Sequence, residues 1–281
     1  MHNQYFIHED CFIFEPKFDG SLIDYIDIIK QYKKLIFSDH IDFSIDLGNG
    51  NVININKNNR SEFNIGSEFN KSLGDSLVKL INLNLITFGW CFNKPLSNSL
   101  DHLINLTHLT FGYNFNQLLA NSLDQLINLT YIKFGCSFNE PLFNSLDKLI
   151  NLNQITFGNH FNQPIDKLLV QLINLTNLSL GNYFDQELNL PSNIKILTLV
   201  SNNQYVIDCL PNSIEELNFG HPFTLPLDNL PSSIKKISFD KNSKYNDLLN
   251  NLPKSLEQLK LPENYKLEIK NIPPNCKIIK P

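Results

Sequence analysis

The side chains best suited to chemistry in this chain are seven histidines and five cysteines, and their spacing does not favour it. Cys11, Cys91, Cys136, Cys209 and Cys276 are scattered and odd in number, with no C-x-x-C pair. They read as reduced thiols rather than a disulfide framework or a zinc ribbon. His102 and His108 lie close in sequence, but no nucleophile, base and orienting group accompany them. Neither G-x-G-x-x-G nor G-K-S/T occurs, so no backbone cradle for a phosphate is expected. The net charge of −5 offers no basic stripe to a nucleic acid. No apolar run reaches the roughly 20 residues of a membrane span. The opening "MHNQYFIHEDCFIF" lacks the positive charge and apolar run of a secretory signal. The expectation is therefore a non-enzymatic chain: no catalytic, cofactor-binding or metal residues, no small-molecule substrate, and no nucleic-acid or membrane partner. Binding to another protein remains, and aromatic residues are its usual anchors.

Those aromatics are positioned by a repeat. Taking the Phe of "FG" as marker, Phe88, Phe111, Phe134, Phe157 and then Leu180 follow one another at steps of 23 residues. Four residues on runs a second column, Phe92, Phe115, Phe138, Phe161 and Phe184. Asn93, Asn116, Asn139, Asn162 and Asp185 stand directly behind it. Upstream, "RSEFNIGSEFN" fits the template through Ile65, Gly66, Phe69 and Asn70. Earlier still come Phe37, Ile41 and Asp42, and Phe14, Phe18 and Asp19. The irregular step, 28 residues from Phe37 to Ile65, contains "FSIDLGNGNVINI" and reads as a hairpin insert at 43–56. Downstream, "LPSNIKILTL", "LPNSIEELNF", "LPSSIKKISF" and "LPKSLEQLKL" shorten the step to 20–22 residues.

Each unit, as in "LTHLTFGYNFN", has a short alternating strand with one buried face. The following "NSLDQLINL" spaces Leu123, Leu126 and Ile127 as a helix would, with Asn121 or Ser122 as a cap. Such a unit cannot close a core alone, whereas stacked copies share one. The expected fold is an α/β solenoid of about twelve turns, a parallel sheet on one face and short helices or irregular turns on the other. It is expected as a single array over 1–281: a cap at 1–8, turns of about 23 residues over 9–187, shorter turns over 188–271, and a truncated turn at 272–281. The Phe columns should be core, packed offset or edge-to-face. The ladder Asn70, Asn93, Asn116, Asn139 and Asn162 should be buried and satisfy backbone groups. The glycines after the markers serve either an unusual backbone conformation or a close approach on the sheet. The "NLT" sequons at Asn105, Asn128 and Asn174 are by-products of the period, expected to carry no glycan.

On the exposed strand face, Trp90 and Tyr113 should be neighbours about 5 Å apart, flanked by His108 and Tyr131. These four form the candidate partner-binding patch.

The spacing L-x-x-L-x-L-x-x-N resembles leucine-rich repeats. The variant carried by Phe134, Gly135, Phe138, Asn139 and Pro141, and by Phe157, Gly158, Phe161, Asn162 and Pro164, looks like the FNIP repeat. That family is found mainly in social amoebae and in giant viruses that infect amoebae. The resemblance implies a protein–protein interaction scaffold without catalytic residues, cytoplasmic (in the host cytoplasm if viral). Members that carry an F-box serve as substrate receptors of a ubiquitin ligase; residues 1–37 here fit the repeat instead. A structural component of a virion is the other alternative.

Overall fold

The computed structural model describes residues 4–39, 43–46, 52–55 and 67–280. The chain divides into two compact units, Met1–Leu152 and Asn153–Pro281. The first holds strands β1 (Tyr5–His8), β2 (Cys11–Phe14), β3 (Lys34–Phe37), β4 (Phe43–Asp46), β5 (Val52–Ile55), β6 (Leu85–Thr87), β7 (His108–Thr110) and β8 (Tyr131–Lys133). β2, β3, β6, β7 and β8 run parallel, and their registers align Phe12, Leu35, Ile86, Leu109 and Ile132 in one inward column. β1 folds back antiparallel onto β2 and lays Tyr5 on the ring of Phe12.

The Phe columns are the core. Phe88, Phe111 and Phe134 repeat at 5.9 and 5.6 Å, and Phe92, Phe115 and Phe138 at 6.0 and 6.1 Å. Within a turn the two columns meet, as Phe111 and Phe115 do at 4.0 Å. The rings are offset and nearly parallel. Edge-to-face contacts surround Tyr25, which meets Phe14 at 88°.

Phe69 corrects the register of the insert. Ile41, Asp42, Ile65 and Gly66 lie outside the described residues, but β3 pairs directly with β6. Phe69 stacks 4.3 Å from Phe37 and 6.0 Å from Phe92. Phe69 and Asn70 therefore complete the turn that β3 begins. The 51 residues from Phe37 to Phe88 are one turn carrying 28 extra, rather than two turns. The protein accordingly has about eleven turns, not twelve. Within the insert, β4 and β5 pair antiparallel.

Over 73–152 the segments expected as helices are chains of tight turns, whereas Leu22–Tyr25 and Ile26–Ile29 of the first turn are helical. Ser122, Asp124, Leu126 and Leu129 each donate an N–H to the carbonyl three residues back. An α-helix needs the carbonyl four back. Leu119, Leu123, Leu126 and Leu129 are all buried. Ser122 does not cap a helix; it sits inside the turn. Four leucines in eleven residues fit both geometries, and the 23-residue step selects the turns because it keeps each leucine above its counterpart.

The second unit repeats the plan in β9 (Gln154–Thr156), β10 (Asn177–Leu180), β11 (Ile196–Leu199), β12 (Glu216–Phe219), β13 (Lys236–Phe239), β14 (Gln258–Lys260) and β15 (Lys277–Ile279), all parallel. Asp166–Gln171 and Gln204–Asp208 are short helices. Where "LP" segments shorten the step, Ile194, Ile214, Ile234 and Leu256 donate to the carbonyl of the proline three residues back. Ser213, Ser233 and Ser255 donate to Ile194, Ile214 and Ile234 carbonyls of the preceding turn at 2.7–2.8 Å. On the surface, Glu215 takes Lys195 and Lys235 on its two oxygens at 3.0 and 2.7 Å. Hydrogen bonds from Lys235 and Lys195 hold its carboxyl down to about 2.

The asparagine ladder forms, though nearer the surface than expected. Asn93, Asn116 and Asn139 donate their backbone N–H to Oδ1 of Asn70, Asn93 and Asn116 at 2.8–2.9 Å. Asp185 does the same to Asn162. Asn93 and Asn116 are half-buried and Asn139 is exposed. The buried asparagine is Asn203, which interrupts the aromatic column four residues after Leu199 and is 3% exposed. Its Nδ2 donates to the Gln186 carbonyl at 2.8 Å, and its Oδ1 accepts the Val206 N–H at 3.2 Å.

The glycines serve close approach rather than unusual backbone. A Cβ on Gly112 would overlap the carbonyl oxygen of Gly89, and one on Gly135 that of Gly112. Gly74 differs, with φ +47° and open space around it. Gly112→Ala is therefore expected to lose about 1–3 kcal/mol by forcing turns apart. Gly74→Ala should lose about 1 kcal/mol from the left-handed backbone alone. Urea melts followed by circular dichroism measure both, and equal midpoints would contradict the contact. By the same measurement, Asn203→Ala, which orphans buried groups, should lose about 2–3 kcal/mol and half-exposed Asn93→Ala about 1 kcal/mol.

Candidate interaction surface

The turn after each strand is built the same way in the first unit. The N–H of Phe92 closes onto the Gly89 carbonyl at 3.2 Å, and that of Phe115 onto Gly112 at 3.3 Å. The two residues between face outward. Their backbones join neighbouring turns: Cys91 N–H to the Ser67 carbonyl, Asn114 to Trp90, Ser137 to Tyr113, at 2.9–3.0 Å. Ser67, Trp90, Tyr113 and Cys136 thus form one column along a ridge.

On this ridge Trp90 and Tyr113 stack with ring centroids 4.1 Å apart and planes 4° from parallel. They remain 41% and 39% exposed. Hydrogen bonding with Cys136, the next residue in the column, pushes the Tyr113 phenol up. Behind Trp90 stands Asp39, a residue that sequence reasoning missed. Its Oδ1 accepts the Trp90 N–H at 2.6 Å and the Ser67 N–H at 2.9 Å. One carboxylate therefore gathers the edge of the insert and the first aromatic of the ridge.

The expected patch of four exposed aromatics is corrected at Tyr131, which is only 4% exposed. Its ring lies against that of His108 at 5.5 Å, on the strand face, where parallel pairing sets β7 beside β8. His108 is half-buried, with Nδ1 2.9 Å from the Thr107 hydroxyl. Further up the same face the outward residues Cys11, Ile13, Ile36 and Leu85 are covered too, with Phe6 packed against them. Burial pushes the Cys11 thiol up to about 11, leaving it a poor nucleophile. Of the four, then, Trp90 and Tyr113 form the exposed pair.

Two further columns went unread in the sequence although their period was visible. In "LINL", Asn105, Asn128 and Asn151 donate Nδ2 to the carbonyls of Ile81, Ile104 and Ile127 at 2.8–2.9 Å. The amide nitrogens of the sequons at Asn105 and Asn128 are thus occupied by the fold. Ile81, Ile104, Ile127 and Ile150 themselves are exposed. Among the described residues, no three or more His, Cys, Asp or Glu side chains gather to hold a metal ion. No helix among them is long and apolar enough to cross a membrane.

Removing the carboxylate that holds the ridge should be visible directly. Asp39→Ala frees two backbone donors and is expected to lose about 1–3 kcal/mol. It should also change the emission of Trp90, the one tryptophan in the chain. Unchanged emission and stability would show that Asp39 does not position the ridge.

The model of the FNIP repeat family matches residues 188–222 and 202–242, in the shorter turns. A search of the curated proteins gives no match. Among solved structures, CroV588, a circular leucine-rich-repeat protein from a giant virus, superposes with a TM-score of 0.68 at 26% identity. The alignment covers 99% of this chain and 41% of that one, so the chain spans well under half of its length. An internalin from Listeria monocytogenes aligns at 11% identity and TM-score 0.47 over 96% of this chain and 74% of its own. The turns within 188–242 thus match the FNIP repeat, and the inward columns and parallel strands make the fold a leucine-rich-repeat solenoid.

Proposed function

We propose that this chain is a non-catalytic scaffold that captures a protein partner on the ridge carrying Trp90 and Tyr113. The observation that carries this reading is the exposed stack itself. Two large rings lie parallel, fixed at their backbones by the turn-to-turn hydrogen bonds and, for Trp90, by Asp39. Such rings lose little freedom on binding and offer much apolar area, which is why aromatic anchors dominate interface energetics. Repeat arrays supply broad, shallow surfaces that suit a macromolecule better than a small substrate. The leucine-rich-repeat fold supports the same reading.

The test compares two double variants as bait. Trp90→Ala with Tyr113→Ala should abolish capture of partner proteins while leaving the melting temperature near that of the parent, since both side chains are outside the core. Truncation at an interface anchor typically removes about 2 kcal/mol or more of binding. Thr198→Ala with Ser238→Ala, on strands β11 and β13, should capture as the parent does. Full retention by the aromatic variant would move the binding surface elsewhere, and unfolding of that variant would make the stack structural.

A further inference from the structure

The ridge has a charge character that narrows the partner. Its aromatic column begins at Trp90, and the position before Trp90 is held by Ser67, which is buried. The residues grouped there are acidic. Asp39 lies against the Trp90 and Ser67 backbones. Glu68 follows Ser67, with its N–H on the Pro16 carbonyl at 2.7 Å and its side chain exposed. Asp19 stands on the turn before, where Lys71 reaches it at 3.8 Å, both side chains being about half exposed. Cys91, beside Trp90, reports the local field: burial, then the charges of Asp39, Glu68 and Asp19, push its thiol up.

We propose that the Trp90–Tyr113 ridge receives an arginine- or lysine-bearing segment of its protein partner, one cationic head group lying on the outer face of Trp90 within reach of Glu68 and Asp39. Indole is the strongest aromatic acceptor for a cation, and a guanidinium or ammonium can meet the ring and a carboxylate together. An acidic segment would meet like charge at Glu68 and Asp39 and is excluded for the same reason. The net charge of −5 adds long-range attraction for a basic partner. This inference rests on the reading of the ridge as the capture surface and adds the chemistry of what it captures.

Because Trp90 is the only tryptophan, its fluorescence reads the site without a label. The full chain is titrated with a blocked tetra-arginine peptide, with the isosteric but uncharged tetra-citrulline peptide, and with tetra-glutamate. Tetra-arginine should perturb Trp90 emission saturably, and the other two should not. Binding should weaken when salt rises from about 50 to about 300 mM. Glu68→Gln, an exposed change that keeps the fold, should weaken it about two- to fivefold. Equal binding of citrulline and arginine peptides, an unchanged affinity in Glu68→Gln, or no response of Trp90 to any peptide each overturns the proposal. These outcomes leave the ridge as a capture surface to be judged separately, by the aromatic double variant and its bound proteins.

Discussion

One contact governs the first unit: the backbone of a turn lies directly on the backbone of the next, with the carbonyl of Gly89 against the α-carbon of Gly112 and that of Gly112 against Gly135. At this approach only a residue without a β-carbon fits, and everything outside the glycine follows by translation. A ring placed on one turn meets its copy in the same orientation, so Phe92 and Phe115 lie 1° from parallel. Edge-to-face packing, which isolated rings favour equally, needs neighbours in different orientations. It occurs around Tyr25, where a ring enters from outside the repeat. Asparagine succeeds beside the columns because its side-chain oxygen reaches the next backbone N–H at the same spacing each time.

The second unit keeps this contact where Gly181 lies on the Gly158 carbonyl, and its later turns meet the same requirement with other chemistry. Gly220 faces the side chain of Val200 rather than a glycine, and the position falls to Asp240 and Pro262 further on. Serine hydroxyls and the Lys195–Glu215–Lys235 row tie these turns together instead. The match to the FNIP family falls here, on residues 188–242. The aromatic ridge, by contrast, belongs to the first unit. The recognised repeats and the aromatic ridge thus fall in different units, on turns held together by different contacts.

Much of this was legible because translation writes itself into sequence. Any residue touching its own copy must recur, so the Phe, Gly and Asn columns could be read before any coordinates. What recurs for one reason, however, can be credited to another. The leucines of "NSLDQLINL" recur because each is stacked on the leucine below, and the spacing that results also suits a helix. The asparagines of "LINL" recur because their amides hold the previous turn, and the same letters spell a sequon. At the insert, the letters before Phe69 match the template closely enough to suggest a separate turn, although Phe69 and Asn70 complete the turn that β3 begins. Exposure was the hardest to read. Tyr131 and Leu85 share a column with solvent-facing residues but are covered. Leu85 belongs to a cluster against which Phe6 packs, a residue that the local period does not place there. Asp39 was hidden for a related reason: it lies outside the period, and its partners stand 28 and 51 residues away.

The Asp39 carboxylate has a meaning beyond the ridge it supports. It joins the backbone just before the insert to the backbone just after it, so the turn closes where the insert leaves it. Whatever length of chain lies between residues 39 and 67 leaves the ladder in step. In evolutionary terms this is a splice junction. Segments can be gained, lost or exchanged there while every rung keeps its register, and each new segment arrives beside the exposed aromatics. The repeats keep their register through such an exchange, and a protein engineer can graft a loop in the same place.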